Sequence, residues 1–442
     1  MSDSLRDLLA AGDAFQGYAY AYPHKTAYRR LDPPVPLREV WAAEDTSALF
    51  LYAHVPFCEV RCGFCNLFTT TNPRANLVTR YLDALERQAE AVSAALGARA
   101  RFARLAIGGG TPTFLTVAEL DRLFSIAGAH FAGVNGAIPK AVESSPGTVD
   151  EEKIAFLSGH GVTRMSLGVQ SFVEAETRAL GRPQQVSEVR RALGILRGAG
   201  FACVNIDLIY GTPGQTASSW RRSLEEALEF APEELYLYPL YVRPLTGLDR
   251  IGRAPSDHRL ALYRMGRDFL LSRGYEQISM RLFRACSYAP PEGPVYCCQE
   301  DGMLGLGAGA RSYTSELHYS TEFAVGRAGV QAIIDDFAGR AREQLSVADY
   351  GCRLNAGEQR RRYALKSLLR ADGLEVGDYR AHFGSDVFAD LPQLEELVKE
   401  NLGGEADRHF RLNARGLELS DVIGPWLGSA EVRMRMNQFA LT

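Results

Sequence analysis

From residue 49 onward, short apolar runs alternate with longer segments in which apolar residues recur at helical spacing. Each run has the length of a buried strand, and each intervening segment has the length of an amphipathic helix. The predicted strands cover residues 49–55, 104–107, 137–142, 164–167, 204–208 and 235–240. The predicted helices lie near residues 77–96, 116–131, 150–160, 186–199 and 216–230. Such alternation is typical of βαβ units, and six of them in right-handed succession predict an α/β fold with a partial (β/α)₆ barrel.

The same pattern divides the chain into four parts. Residues 1–48 are rich in Tyr and Pro and have no steady period, which predicts an irregular N-terminal arm. Residues 49–245 form the predicted barrel core, and residues 246–325 are expected to complete the barrel on its substrate side. Residues 326–442 contain helical periods and a short alternating segment, which predict a C-terminal helical or winged-helix-like domain.

Composition narrows the choice of partners. The 442 residues include 49 Lys and Arg against 53 Asp and Glu, a formal net charge of −4. Because no basic surface is indicated, we expect no nucleic-acid partner. No apolar stretch reaches the roughly 18 residues of a membrane span, and the first residues lack the pattern of a secretory signal. We therefore expect a cytoplasmic protein with no membrane partner.

Three of the eight cysteines stand close together. Cys58, Cys62 and Cys65 have the spacing CxxxCxxC, and cytoplasmic cysteines are normally reduced. A structural zinc site needs four ligands, and no second Cys or His pair follows at a matching spacing. A [4Fe–4S] cluster is also held by thiolates, and three of them would leave one iron open to another ligand. The spacing favours the cluster.

Polar or glycine-rich groups follow each of the first four predicted strands, and another lies at the end of the fifth. In chain order they are Cys58, residues 108–111, Glu143, Gln170 and Asp207. Barrel enzymes build their active sites at the C-terminal ends of the strands. The glycines would let the backbone approach a ligand closely, since side chains would block it. The sequence therefore predicts one site at this end of the barrel.

These motifs resemble the radical S-adenosylmethionine (SAM) enzymes. The sequence YAHVPFC at residues 52–58 resembles the HemN-like branch, the oxygen-independent coproporphyrinogen III oxidase-like proteins. The resemblance continues through residues 108–113, Glu143, residues 166–172, 181–182 and 205–211. It implies a radical SAM barrel with a [4Fe–4S] cluster that generates a 5′-deoxyadenosyl radical. It also implies two bound SAM molecules, a small-molecule substrate and a flavodoxin- or ferredoxin-like electron donor.

The resemblance assigns a role to each site residue. Cys58, Cys62 and Cys65 would bind three irons, and the first SAM would occupy the fourth. The residues implied to bind the first SAM are Tyr52, Gly109 and Glu143. Those implied to contact the second SAM are Phe64, Gly110, Thr111, Gln170, Arg182 and Asp207. Carboxylates suit SAM's hydroxyl and ammonium groups, and a guanidinium suits its carboxylate.

The sequence differs at two places from relatives of known activity, and these differences determine which function we expect. Leu67 stands where the coproporphyrinogen oxidases have a fourth cysteine, and residues 296–303 differ from the histidine-containing motif of the haem chaperones. Residues 296–319 resemble HemN-like proteins near natural-product pathways, some of which are C-methyltransferases or cyclopropanating enzymes. We therefore expect methyl or methylene transfer to an sp² carbon of a small molecule. The alternatives are a coproporphyrinogen III oxidase-like decarboxylase and a haem-binding chaperone.

Several further side chains have two interpretations. Adjacent Cys297 and Cys298 are candidate catalytic residues, as an acid, a hydrogen donor or a metal ligand, but buried structural thiols are common. His54 precedes the cysteine loop and is expected to be structural, and His318 is left undecided. Three tyrosines of residues 235–242 could line a substrate cavity or pack at the end of the barrel: Tyr236, Tyr238 and Tyr241.

Overall fold

The computed structural model describes residues 4–290 and 302–441. The N-terminal arm contains helix α1 (Leu5–Ala10), strand β1 (Arg29–Pro36) and helix α2 (Leu37–Val40). The sequence predicts an irregular arm, but β1 pairs antiparallel with a strand more than 300 residues later in the chain. The indole N–H of Trp41 donates to the hydroxyl of Tyr319 at 2.9 Å and fixes the end of the arm to the same sheet.

The barrel core follows the arm. Its strands are β2 (Leu49–Val55), β3 (Phe57–Cys58), β4 (Thr70–Thr71), β5 (Phe102–Gly109), β6 (Lys140–Ser144), β7 (Arg164–Gln170), β8 (Cys203–Tyr210) and β9 (Glu234–Pro239). Its helices are α3 (Leu77–Leu96), α4 (Val117–His130), α5 (Glu151–Gly159), α6 (Glu174–Ala179), α7 (Val186–Gly198) and α8 (Ala217–Leu228). Strands β2, β5, β6, β7, β8 and β9 are parallel neighbours in that order. The predicted six-stranded barrel is confirmed.

Local chemistry explains where these elements begin and end. Strand β5 runs past its predicted end because Gly108 and Gly109 continue to pair with β2. Strand β6 begins at Lys140, since the preceding proline has no N–H to donate to the ladder. Helix α4 begins after a capping box in which Thr116 and Glu119 satisfy each other's backbone N–H groups. Turn and cap residues thus position the ends of the strands.

The chain then extends the sheet on both sides. The elements are α9 (Gly247–Arg250), α10 (Arg259–Ser272), β10 (Tyr275–Gln277), β11 (Leu282–Ala285), β12 (Met303–Leu306), β13 (Arg311–Tyr313), β14 (Leu317–Ser320), α11 (Arg327–Gly339) and β15 (Val347–Arg353). Strand β12 lies parallel to β2 as a seventh parallel strand, which the sequence did not predict. Gly305 permits it, because a Cβ there would stand 2.4 Å from the carbonyl oxygen of Arg311.

The remaining elements form a smaller layer with its own core. They are α12 (Ala356–Leu368), β16 (Leu374–Glu375), α13 (Val376–Phe383), α14 (Val387–Asp390), α15 (Leu394–Lys399), β17 (Gly403–Ala406), β18 (His409–Leu412), α16 (Ala414–Glu418), α17 (Ser420–Leu427) and α18 (Ala430–Asn437). A three-stranded sheet in the order β16–β18–β17 accompanies the helices, as expected of a winged-helix-like fold. Leu5 and Tyr22 of the arm belong to the same core.

No helix within the described ranges is both long and apolar enough to cross a lipid bilayer.

Candidate active site

The three clustered cysteines lie in one loop at the C-terminal end of β2. Cys58 ends β3 and pairs with Thr71 of β4, so that the loop between them is closed at its base. The loop is also fixed from the far side of the barrel, because Gly63 N–H donates to Leu180 O at 2.8 Å and Gly63 O accepts from Leu248 N–H at 2.7 Å. Hydrogen bonds within the protein therefore fix the backbone of the cysteine loop without a cofactor.

Each of the three sulfurs has one polar side chain beside it. Thr111 Oγ1 donates to Cys58 Sγ at 3.6 Å, and Arg182 Nη1 donates to Cys62 Sγ at 3.3 Å. The Oγ1 of Thr69 lies 3.9 Å from the third sulfur, that of Cys65. Hydrogen bonds of this kind stabilise a thiolate that ligates metal and tune a cluster's potential.

The donor set fits an iron–sulfur cluster. Burial, together with Cys65 and Cys62, raises the pKa of the Cys58 thiol to about 12 against the hydrogen bond from Thr111, so the three sulfurs share one environment. Among the described residues, no three His, Cys, Asp or Glu side chains are grouped closely enough for a single metal ion. Three separated thiols suit a cluster, in which each iron takes its own cysteine.

Glycines close the second side of the site. Gly109 has φ +116°, and a Cβ there would stand 2.5 Å from His54 Cε1. A Cβ at Gly110 would stand 2.6 Å from Phe57 O and 2.8 Å from Cys58 Sγ. Both positions therefore require glycine, and the sequence identified them.

His54 is a structural residue, as the sequence suggested. Its Nε2 lies 3.0 Å from Phe68 O and its Nδ1 lies 3.2 Å from Tyr52 Oη. Burial lowers its pKa to about 4, so the ring is neutral at physiological pH. Its two contacts hold Tyr52 and the end of the cysteine loop in place.

Tyr52 and Asp207 face the interior of the barrel. Each is the one residue of its strand, β2 or β8, that is not fully buried. Asp207 Oδ1 accepts from Asn205 Nδ2 at 2.8 Å, and the same amide nitrogen donates to Ser166 Oγ at 2.9 Å. Burial raises the pKa of Asp207 to about 6, against the Asn205 hydrogen bond and the charges of Arg164 and Arg182.

Glu143 lies on β6 beside the end of β5, and its side chain is more than a third open to solvent although protein surrounds its carboxylate. Burial raises its pKa to about 7, while the hydrogen bond from Gly109 N–H lowers it and Asp207 raises it. Two carboxyl groups with raised pKa values therefore share this interior. Such groups mark functional sites more often than structural ones.

Gln170 and Arg182 lie at the end of β7. The strand is irregular between Gly168 and Gln170, and Gln170 has φ +69°, a strained backbone for a residue with a side chain. Arg182 donates to Gly168 O at 2.7 Å, to Gln184 Oε1 at 2.9 Å and to the sulfur of Cys62. The structure thus places Arg182 directly against the cysteine loop.

The other predicted residues have these places. Phe64 packs against a small apolar cluster with Leu180 and Leu248. Tyr236 and Tyr238 stack at 5.6 Å, half-buried, while the hydroxyl of Tyr241 bonds to Asp421 of α17. His318 is fully buried against the ring of Tyr313 at 4.6 Å. Cys297 and Cys298 lie outside the described residues.

Two cations of the site were not found from the sequence. Lys25 of the arm and Arg311 at the start of β13 act electrostatically on His54, and Lys25 also acts on Cys65. The arm's tyrosine-rich run, residues 18–22, is the signal that could have pointed there. No local sequence signal could reveal Arg311, since its position depends on the pairing of β13 with its neighbouring strands.

Comparison with known proteins identifies a family. The Radical SAM superfamily profile matches residues 52–227. The chain is 27% identical to the oxygen-independent coproporphyrinogen III oxidase of Pseudomonas aeruginosa over 398 residues, 84% of this chain and 82% of the relative. It is 30% identical to the heme chaperone HemW of Lactococcus lactis over 274 residues, 61% of this chain and 70% of the relative.

A solved structure gives the same result for the fold. Coproporphyrinogen III oxidase (HemN) from Escherichia coli superposes with a TM-score of 0.77 at 24% identity. The superposition covers 95% of this chain and 98% of that one. The predicted fold class is therefore confirmed.

These comparisons overturn the expected methyl or methylene transfer and the expected closeness to C-methyltransferases and cyclopropanating enzymes. The similarity over most of the chain is to coproporphyrinogen oxidases and haem chaperones. The structure explains the error. Leu67, whose identity argued against the oxidases, is 50% exposed, so this position adds no buried group beside the three cysteines. The chain belongs to the HemN-like radical SAM family, and its cofactors are a [4Fe–4S] cluster and two molecules of S-adenosylmethionine.

Proposed function

We propose that this protein is a radical SAM enzyme of the oxygen-independent coproporphyrinogen III oxidase type, which decarboxylates a porphyrinogen. The observation that carries the proposal is the extent of the similarity. The oxidase relative aligns over most of both chains, whereas the haem chaperone aligns over a shorter part of this one. The oxidase similarity covers 84% of this chain, whereas the superfamily profile matches only residues 52–227 and so leaves out the arm and the C-terminal layer.

In this proposal the cluster is held by Cys58, Cys62 and Cys65. Burial raises the pKa of the free Cys58 and Cys65 thiols, so binding of iron must displace their protons. Thr111 and Arg182 donate to two of the sulfurs and stabilise them as thiolates. When bound, the cluster and SAM supply the radical chemistry that breaks a C–H bond of the substrate.

The first SAM is assigned to the neighbourhood of Tyr52, Gly109 and Glu143. The Gly109 N–H holds one oxygen of Glu143 at 3.0 Å, which leaves the other oxygen to accept from an ammonium or hydroxyl group. The absence of a side chain at Gly109 keeps the strand end open to a ligand. A cationic ligand beside Glu143 would lower the pKa of that carboxyl and hold it ionised.

The second SAM is assigned to residues of the cysteine loop, of the C-terminal ends of β5, β7 and β8, and of the segment after α6: Phe64, Gly110, Thr111, Gln170, Arg182 and Asp207. Arg182 uses three of its five N–H donors within the protein, so two remain for a carboxylate. Asp207 is held by Asn205 with its second oxygen available to a hydroxyl group. Phe64 contributes an apolar contact.

The substrate side is closed by aromatic residues of the arm and of β9. Tyr18 lies edge-on to Tyr238 at 6.5 Å, and Tyr238 stacks on Tyr236. A closed aromatic wall excludes water and protects a reactive intermediate. We further propose that a flavodoxin- or ferredoxin-like protein supplies the reducing electron.

The test is anaerobic turnover of the reconstituted protein with reductant, SAM and coproporphyrinogen III. We expect 5′-deoxyadenosine together with loss of CO₂ from the porphyrinogen. Formation of 5′-deoxyadenosine without decarboxylation would contradict the proposed substrate. Tight haem binding without any turnover would instead identify a chaperone.

A further inference from the structure

Three cations surround His24 of the arm, and within the described residues none of them has a carboxylate partner. They are Lys25 of the arm, Arg243 after β9 and Arg311 at the start of β13. Within residues 4–290 and 302–441, none of the three forms an ion pair. Each is half-buried, so solvent screens its charge only in part.

Aromatic rings and hydroxyl groups hold these cations in place. Arg311 Nη1 donates to Tyr20 Oη at 3.3 Å, and the same hydroxyl lies 3.4 Å from His24 Nε2. The ammonium of Lys25 lies 3.7 Å from the centroid of the Phe323 ring. Aromatic faces attract a cation but leave its charge unneutralised. The side chains are thus ordered, and their charge is left for a ligand.

The cations lie in one neighbourhood. Burial lowers the pKa of His24 well below its ordinary value, and the charges of Lys25, Arg311 and Arg243 lower it further. Burial lowers the pKa of Lys25 as well, and Arg311 adds to this while Cys65 opposes it. A group of like charges in a half-buried place is unfavourable unless an anion joins it.

We propose that Lys25 and Arg311 form a binding site for a carboxylate of the substrate, with Arg243 at its margin. The inference rests on the proposed function, since a porphyrinogen with carboxylate side chains would supply the anion. Arg311 offers a planar pair of donors that matches a carboxylate, and Lys25 offers a mobile point charge. The site would hold one side chain of the substrate next to the cysteine loop.

The test separates the carboxylate site from the identity of the substrate. Glutarate, a small dicarboxylate, is titrated calorimetrically into the anaerobic protein with its reconstituted cluster, and SAM and coproporphyrin III are titrated in parallel. The variants are Lys25→Met and Arg311→Met, which keep the apolar stems of the side chains. Lys399→Met and Arg221→Met are the matched controls, because both residues lie on exposed helix surfaces. Lys25→Arg tests rescue of the charge.

We expect each site variant to weaken glutarate binding about 10- to 100-fold, as for loss of one charge-assisted hydrogen bond. The controls and Lys25→Arg should stay within about threefold of the wild type, and the cluster absorbance should be retained. If Arg311→Met does not fold, Lys25→Met in the arm carries the test alone.

Three outcomes decide between the explanations. Unchanged glutarate binding in both variants, or none in the wild type, overturns the inference. Loss of SAM binding with glutarate binding retained shows that the cations hold the carboxylate of SAM, and this also overturns it. Glutarate binding that depends on Lys25 and Arg311 in a protein that does not bind coproporphyrin supports the carboxylate site and contradicts the proposed substrate.

Discussion

The carboxylate of Glu143 accepts a hydrogen bond from the backbone N–H of Gly109 at 3.0 Å, which joins the ends of β6 and β5 inside the barrel. This bond favours the ionised carboxylate, whereas burial favours the protonated acid. Burial prevails, since the pKa of Glu143 stands at about 7 against an ordinary 4.5. The acid is therefore poised to change its charge when a cation binds beside it.

The first prediction concerns stability and pH. Between pH 4.5 and about 7 the unfolded chain ionises Glu143 while the folded protein keeps it protonated. The unfolded state then binds fewer protons, so the free energy of unfolding of the cofactor-free protein falls as pH rises through this window. Glu143→Gln should flatten that decline, measured by urea unfolding at pH 5, 6 and 7.5. Equal slopes for the variant and the wild type would exclude the raised pKa of Glu143.

Arg182 should set the reduction potential of the cluster. Its guanidinium donates to Cys62 Sγ at 3.3 Å, and a positive donor at a thiolate favours the reduced cluster. Arg182→Gln should therefore make the potential more negative, by at most about 60 mV if a hydrogen bond of ~1.5 kcal/mol is lost from one redox state alone. The measurement is a redox titration followed by electron paramagnetic resonance.

Arg182→Lys is the control, because it keeps the charge and should shift the potential less. If Arg182 only supports the loop, both variants would instead lower cluster content without moving the potential of the cluster that remains.

Replacement of cluster cysteines should abolish iron binding. We expect Cys58→Ala, Cys62→Ala or Cys65→Ala to lose the iron–sulfur absorbance and the cleavage of SAM after anaerobic reconstitution. Cys286→Ala is the matched control, since this thiol is exposed and lies in the distant turn after β11. A triple variant that retains both the absorbance and SAM cleavage would refute the assigned ligands.

Gly110 should not tolerate a side chain. A Cβ there would lie 2.8 Å from Cys58 Sγ and 2.6 Å from a backbone oxygen, so Gly110→Ala must displace the cysteine loop. We expect iron content after reconstitution to fall at least severalfold. Gly194→Ala, in the middle of α7 with open space around its Cβ, should bind iron normally. It should also gain about 0.5–1 kcal/mol of stability from better helix propensity.

A buried ion pair should fix the C-terminal layer to the barrel. Arg281 donates to both oxygens of Asp421 at 2.7 Å, and the two side chains are 4% and 1% exposed. Asp421→Asn would leave a buried positive charge, which should cost about 3–5 kcal/mol and lower the thermal unfolding midpoint. Glu395→Gln, which breaks an exposed pair with Lys399, should cost no more than about 0.5 kcal/mol. Similar midpoints for the two variants would contradict this role.

The sequence was informative wherever local pattern decides structure. The six barrel strands could be predicted because each is an apolar run bounded by turn residues, and the site residues follow them directly. Strand β12 could not, because its short, glycine-rich sequence pairs with β2 only after some 250 residues have folded between them. Lys25 and Arg311 were missed for the same reason, since each reaches the site through long-range closure of the sheet.

The reaction was harder to predict than the site. Leu67 follows the three cysteines closely in sequence, which made it look like part of the cluster loop. Its side chain faces solvent, and only the folded loop shows that. A missing residue in a motif is informative only when its side chain points toward the chemistry.

The pairing of β1 with β15 has a consequence for the order in which the chain folds during synthesis. The arm leaves the ribosome first, but its partner Val347 follows Pro36 by more than 300 residues, roughly 15–60 s later at typical rates of translation. Leu5 and Tyr22 pack into a core whose C-terminal members, from residues 364–432, are synthesised later still. During that interval the barrel and its cysteine loop can fold without their cover. The cysteine loop is therefore complete on the nascent chain well before the arm can pair with β15.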